Sequence, residues 1–168
     1  MARTDRLVIE LVELLALGFT NTDKPPVGGT TGPPQVRAGD GIPALDGFDD
    51  CTLLWLNITN RYRTDNFPDQ QIRNTSCGTA VAVHVQVGVA RCSQALTHTG
   101  GLPSAETMAA EFAAQEDDAD RLDTTLCVAG ARLEKAGHIL GWVPVSTDVI
   151  GPEGGTVAVV AQAAFHLP

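Results

Sequence analysis

The chain is predicted to fold as an α+β two-layer sandwich. An antiparallel or mixed sheet of about four strands is flanked by an N-terminal helix and a second long helix. Three observations predict this class. Residues 4–17 place Leu7, Leu11, Leu14 and Leu15, with Val8 and Val12, in an apolar stripe at helical spacing. The stretch "TAVAVHVQVGVARC", Thr79–Cys92, alternates valine with small or polar side chains throughout, the period of a strand with one apolar face. The elements run helix, weak strand, strand, strand, helix, strand, so helices lie beside the sheet rather than between successive strands.

The 168 residues suit one domain, 1–168, with a real core, and 43% hydrophobic against 18% charged residues marks a globular chain. In the first element, 1–18, Thr4 is placed to cap the helix and Gly18 to end it. Glu10 and Glu13 interrupt its apolar run and no small-residue cleavage site follows, so it reads as an amphipathic helix and not a signal peptide. No run reaches the roughly 18 apolar residues of a membrane span. The expectation is a soluble chain that is not secreted and has no membrane partner. The sequons at Asn57 and Asn74 are then chance matches.

Residues 19–50 are rich in proline and glycine and read as an extended loop, with "PQVRAG" adding a weak edge strand. A loop of this length is usually functional or disordered. Residues 51–92 form a long antiparallel hairpin. In "CTLLWLNITNRYR", Leu54, Leu56, Ile58 and Tyr62 share one face, while Leu53, Trp55, Asn57 and Thr59 share the other. The polar stretch "TDNFPDQQIRNTS" is its tip, read either as a solvated turn or as a contact with Phe67 and Ile72 as its apolar anchors. The valines of the long strand pack under the helices. Its opposite face, which includes His84, Gln86 and Gly88, has no helix left to cover it, and its small side chains suit close apposition of another copy.

Residues 103–137 are helical, capped by Ser104 and ended by Gly137, with a kink expected near "QEDDAD". Phe112, Ala119, Leu122, Leu126, Ala129 and Leu133 make its buried stripe. "GWVPVSTDVIGPEGG" reads as a turn-rich approach to a terminal strand at 155–167.

The search for chemistry yields little. Cys51, Cys77, Cys92 and Cys127 show no closely spaced pair, so no metal site is predicted. In a reducing compartment they read as buried thiols, although Cys51 and Cys92 lie near strand ends, and a disulfide formed after release into an oxidising medium is left open. His84, His98, His138 and His166 are far apart. His84 and His166 become neighbours if their strands pair, as base or ligand with a carboxylate or, more plainly, as polar interface residues. "EDDADRLD" offers paired carboxylates, Asp117 and Asp120, but reads as acidic residues stabilised in a first helical turn. "VIGPEGG" suits either an anion-binding nest or a sharp turn, and the turn is the simpler account. No nucleotide-binding or hydrolase motif is present, so no catalytic residue and no cofactor are predicted. A net charge of −9 disfavours nucleic-acid binding, which needs clustered cations.

Taken in order, "DDCTLLWLNITNRYRTDNFP", "CGTAVAVHVQVGVARC", "LPSAE", "DDADRLDTTLCVAG", "GWVPV" and "GPEGG" resemble the neck proteins of long-tailed bacteriophages of actinobacteria, in particular the tail terminator group. The resemblance spans roughly 41–167. It implies a non-enzymatic virion protein that forms a homo-oligomeric ring, a hexamer, at the head-proximal end of the tail. Such a ring ends growth of the tail tube and meets the head-completion or stopper protein. Its partners would be further copies, the tail tube protein and that head-side protein, with DNA passing through the channel unbound. Its place would be the virion tail or neck, after assembly in the host cytoplasm. The alternatives are a head-completion adaptor or stopper, or, in a different class, a small ligand-binding or catalytic α+β protein using His84, His166 and the "GPEGG" turn.

Overall fold

The computed structural model describes residues 4–37, 39, 51–71, 80–93, 101–153 and 155–168. The described elements are α1 (Asp5–Phe19), β1 (Gln35–Arg37), β2 (Thr52–Arg63), β3 (Val81–Cys92), α2 (Ala105–Lys135), β4 (Gly141–Glu153) and β5 (Thr156–Leu167). The strands form one mixed sheet in the order β1-β2-β3-β5-β4, with β1 parallel to β2 and every other pairing antiparallel. The fold is α+β as predicted, with five strands in place of about four.

One face of the sheet carries the main core. Val83, Val85, Val87 and Val89 of β3 meet Leu7, Leu11, Leu15 and Phe19 of α1 and Leu122, Leu126, Ala129 and Leu133 of α2. Each such valine, leucine or phenylalanine contributes about 1.5–3 kcal/mol when fully buried. α1 lies over β2, α2 lies over β5 and β4, and the helices touch each other. They run antiparallel: Arg132 pairs with Glu10 at 3.0 Å, whereas Arg121, nearer the start of α2, donates to the Gly18 carbonyl near the end of α1.

The second face is closed within the chain. Leu53, Trp55, Ala90, Ala158 and Val160 form a smaller cluster there, with Ile150 against it. This corrects the expectation of a bare surface: Ala82, Gly88 and Ala90 are buried, and Gln86 is only 6% exposed. Trp55 supplies much of the cover. It faces Gly88 across the β2–β3 pairing, and its ring fills the space a Cβ on Gly88 would need.

Several other expectations change. The region Gly141–Glu153 is an edge strand, not a turn-rich approach. Its prolines hid it, but an edge strand tolerates proline, and the register shifts at Pro144/Ser146 and Ile150/Glu153 sit at them. A bulge in β2 between Ile58 and Asn60 moves Tyr62 to the second face, opposite Ala82. α1 continues through Gly18 to the buried Phe19, and Thr4 makes no side-chain cap. α2 is one helix of 31 residues with no break at "QEDDAD", and Ser104 does cap it, its hydroxyl accepting from the Thr107 amide at 3.1 Å.

Candidate interaction surfaces

The acidic run in α2 lies near the middle of that helix, not in its first turn, so the helix-dipole account of it fails. Two of its carboxylates instead fasten the segment after α1. Asp118, 1% exposed, takes two hydrogen bonds from Arg91 at the end of β3, at 2.6 and 2.8 Å. The same guanidinium donates to the carbonyls of Gly28 and Gly29 at 2.7 and 3.0 Å. Gly28 lies so close to this guanidinium that a Cβ would overlap it. Beside it, Asp117 accepts from Arg121 at 2.8 Å and from the Val27 amide at 2.9 Å, and Arg121 reaches the Gly18 and Pro25 carbonyls.

Electrostatics differ between these two neighbours. Burial pushes the Asp118 carboxyl above the ordinary range, and the Arg91 hydrogen bonds only partly offset it. Burial also acts on Asp117, but the hydrogen bonds from Arg121 and Val27 and the nearby positive charges outweigh it and hold that carboxyl low. The described first part of the 19–50 loop is thus tied to α2 and β3. The signal for Arg121 was readable, four residues after Asp117. Arg91, a cation on the apolar face of β3, was the signal for the other half.

The first three turns of α2 stand over the sheet end without filling the space beneath. Where the later helix presents leucines, this stretch presents Thr107, Ala110, Glu111, Ala114 and Gln115. A cleft of about 530 Å³ remains between them and Val89, Val157, Val159, the Arg91–Asp118 pair and the Cys51–Cys92 bridge. On the β4 side of the helix a shallower cavity of about 330 Å³ is lined by Leu102, Met108, Phe112, Val149 and Pro152. Phe112, expected in the buried stripe, is 62% exposed, with Leu102 at 85%, Met108 at 51% and Val149 at 50%. A contiguous exposed group of large apolar side chains marks a contact surface.

The residues singled out for an interface are distributed differently. Gln86 and Gly88 are enclosed on the second face, as above. His84 is half-buried beside Tyr62, whose hydroxyl is 3.3 Å from the ring Nε2, with the rings edge to face. Phe67 stacks on His166 of its own chain at a centroid distance of 4.9 Å. Ile72 lies outside the described residues, as do Asn74, Cys77 and His98. His84 and His166 do sit on adjacent strands and one face, but among the described residues each meets an aromatic ring and not a carboxylate. Burial lowers the His166 pKa below the usual imidazole value, and its Nε2 has no hydrogen-bond partner.

Two thiols expected free are joined: Cys51 and Cys92 form a disulfide across the base of the β2–β3 hairpin, while Cys127, expected buried, is free and exposed. The "GPEGG" stretch ends β4 and leads through Gly155 into β5. No protein-family model matches the chain, and comparison with curated proteins finds no match.

Proposed function

We propose that this chain is a structural subunit of a phage neck, a tail-terminator-like protein whose copies form a hexameric ring at the head-proximal end of the tail. The observation that carries the reading is the unpacked first half of α2, with its exposed Leu102, Met108 and Phe112 beside Val149. A domain that works alone gains nothing from leaving these groups in water; one that works in an assembly covers them on a partner. Tail terminators are small α+β domains with a sheet flanked by an N-terminal helix and a second helix, and the element order of this chain is consistent with that layout. The acidic balance suits a channel through which DNA slides without adhering.

This function needs no reacting group and no bound cofactor. Its test is a phage carrying a nonsense mutation in this gene, viewed by electron microscopy. Tail tubes of uncontrolled length identify a terminator. Tails of normal length beside filled, unjoined heads identify a head-completion adaptor or stopper instead, and intact infectious particles reject the neck reading. The 530 Å³ cleft favours one other reading, a small-ligand protein. Native mass spectrometry of a monomer retaining a bound small molecule would support that one.

A further inference from the structure

We infer that the acidic, apolar surface at the start of α2 receives the β1–β2 edge of a second copy of this chain, head to tail. The inference rests on the ring reading and names the two surfaces that close it. Residues 101–120 contain Glu106, Glu111, Glu116, Asp117, Asp118 and Asp120 and no lysine or arginine. Asp117 and Asp118 are taken by Arg121 and Arg91. Glu106, Glu111, Glu116 and Asp120 form no ion pair among the described residues, and Glu106 and Glu111 border the cleft. The exposed apolar centre, Met108 and Phe112, therefore sits in a field of one sign.

The complementary surface is on the same chain at the other side of the sheet. β1 and β2 form that edge, where Val36 is exposed next to Arg37, and Arg61 is exposed further along β2. Arg6 is exposed at the start of α1, the helix that lies over β2. Arg6, Arg37 and Arg61 form no ion pair among the described residues. The apolar centre lies beside β4, four interstrand steps or about 19 Å from β1, and although the cleft bordered by Glu106 and Glu111 reaches Thr52 at the start of β2, neither carboxylate pairs with Arg6, Arg37 or Arg61 among the described residues. A contact between unlike surfaces of identical chains repeats, and it closes a ring when the rotation fits. With a net charge of −9, two copies repel overall, so local pairing of acidic and basic surfaces is what can orient the approach.

Two single-edge variants of the full-length chain test this by light scattering and native mass spectrometry. Phe112→Glu breaks the acidic surface alone. The double change Val36→Glu with Arg37→Glu breaks the basic edge alone. All three positions are exposed, and circular dichroism confirms that each variant is folded. The wild type is expected to form oligomers, and each variant alone to have its dissociation constant raised at least about 30-fold, as for an interface hot spot. An equimolar mixture of the variants then forms a dimer and nothing larger, because one intact surface remains on each. Wild-type assembly by either variant, or a mixture that stays monomeric, overturns the assignment of these surfaces while leaving the neck reading to the phage experiment. A wild type that is monomeric alone, and associates only with a different neck protein, overturns the second copy as the occupant.

Discussion

Trp55 is fully buried because the residue opposite it has no side chain. A methyl group on Gly88 would overlap the indole, and both neighbouring strands hold the backbone in place. Gly88→Ala is therefore expected to cost about 1–3 kcal/mol through overpacking, read as a lowered urea midpoint. Trp55→Leu in the same chain should make the added methyl group much less costly. Gln86, two residues away, has a side-chain oxygen without a partner and almost no exposure. A charged residue there would be buried unpaired, so Gln86→Arg should act on folding and not on assembly alone. At His166 the relevant variable is pH. Its folded pKa lies below the unfolded value near 6.5, so the unfolded chain binds more protons between the two values. Stability is then fully present above about pH 6.5 and falls as pH drops through that window. His166→Phe, which keeps a ring against Phe67, should flatten the profile of thermal midpoint against pH there.

Among the elements, those with an uninterrupted period were legible. α1, β2, β3 and β5 follow from spacing alone, and the Ser104 cap from its place before an acidic first turn. β4 was hidden because Pro144 and Pro152 break the alternation, and only its position at the sheet edge makes them acceptable. The face of Tyr62 was misread because a bulge, invisible in the sequence, reverses the alternation after Ile58. The exposure of Phe112 was misread because the helix stripe begins in sequence well before the part of α2 that the sheet buries. Fastening of the loop after α1 was legible in its local half, Asp117 with Arg121, whereas Arg91 stood out as a cation on an apolar face without its distant partner Asp118 being readable. The two halves should differ in effect. Arg121→Ala removes a partly exposed pair, worth up to about 1 kcal/mol, yet frees the Gly18–Val27 segment, so hydrogen exchange at the Val27 amide should rise while the global midpoint barely moves. Arg91→Ala removes the groups that oppose burial of the Asp118 carboxyl and leaves it enclosed without its partner, and should cost about 3–5 kcal/mol in the same denaturation measurement.

For the whole molecule, the disulfide decides how the sheet end beside the cleft is held. Cys51 precedes β2 and Cys92 ends β3, 41 residues apart, and the Cys92 amide also donates to the Cys51 carbonyl. The bridge ties the base of the hairpin at the point where Arg91 fixes α2 and the Gly28–Gly29 carbonyls. A closed loop of this length removes enough chain entropy from the unfolded state to contribute about 4 kcal/mol. Reduction, or the double change Cys51→Ser with Cys92→Ser, should lower the urea midpoint by a large part of that. The sheet and helices should still form, because the valine core does not involve the bridge. Cys127→Ser, at an exposed position away from the bridge, should change stability by no more than about 0.5 kcal/mol. If reduction left the midpoint unchanged, the hairpin base would be held by Arg91 and strand pairing alone, and the bridge would have no part in fixing the cleft.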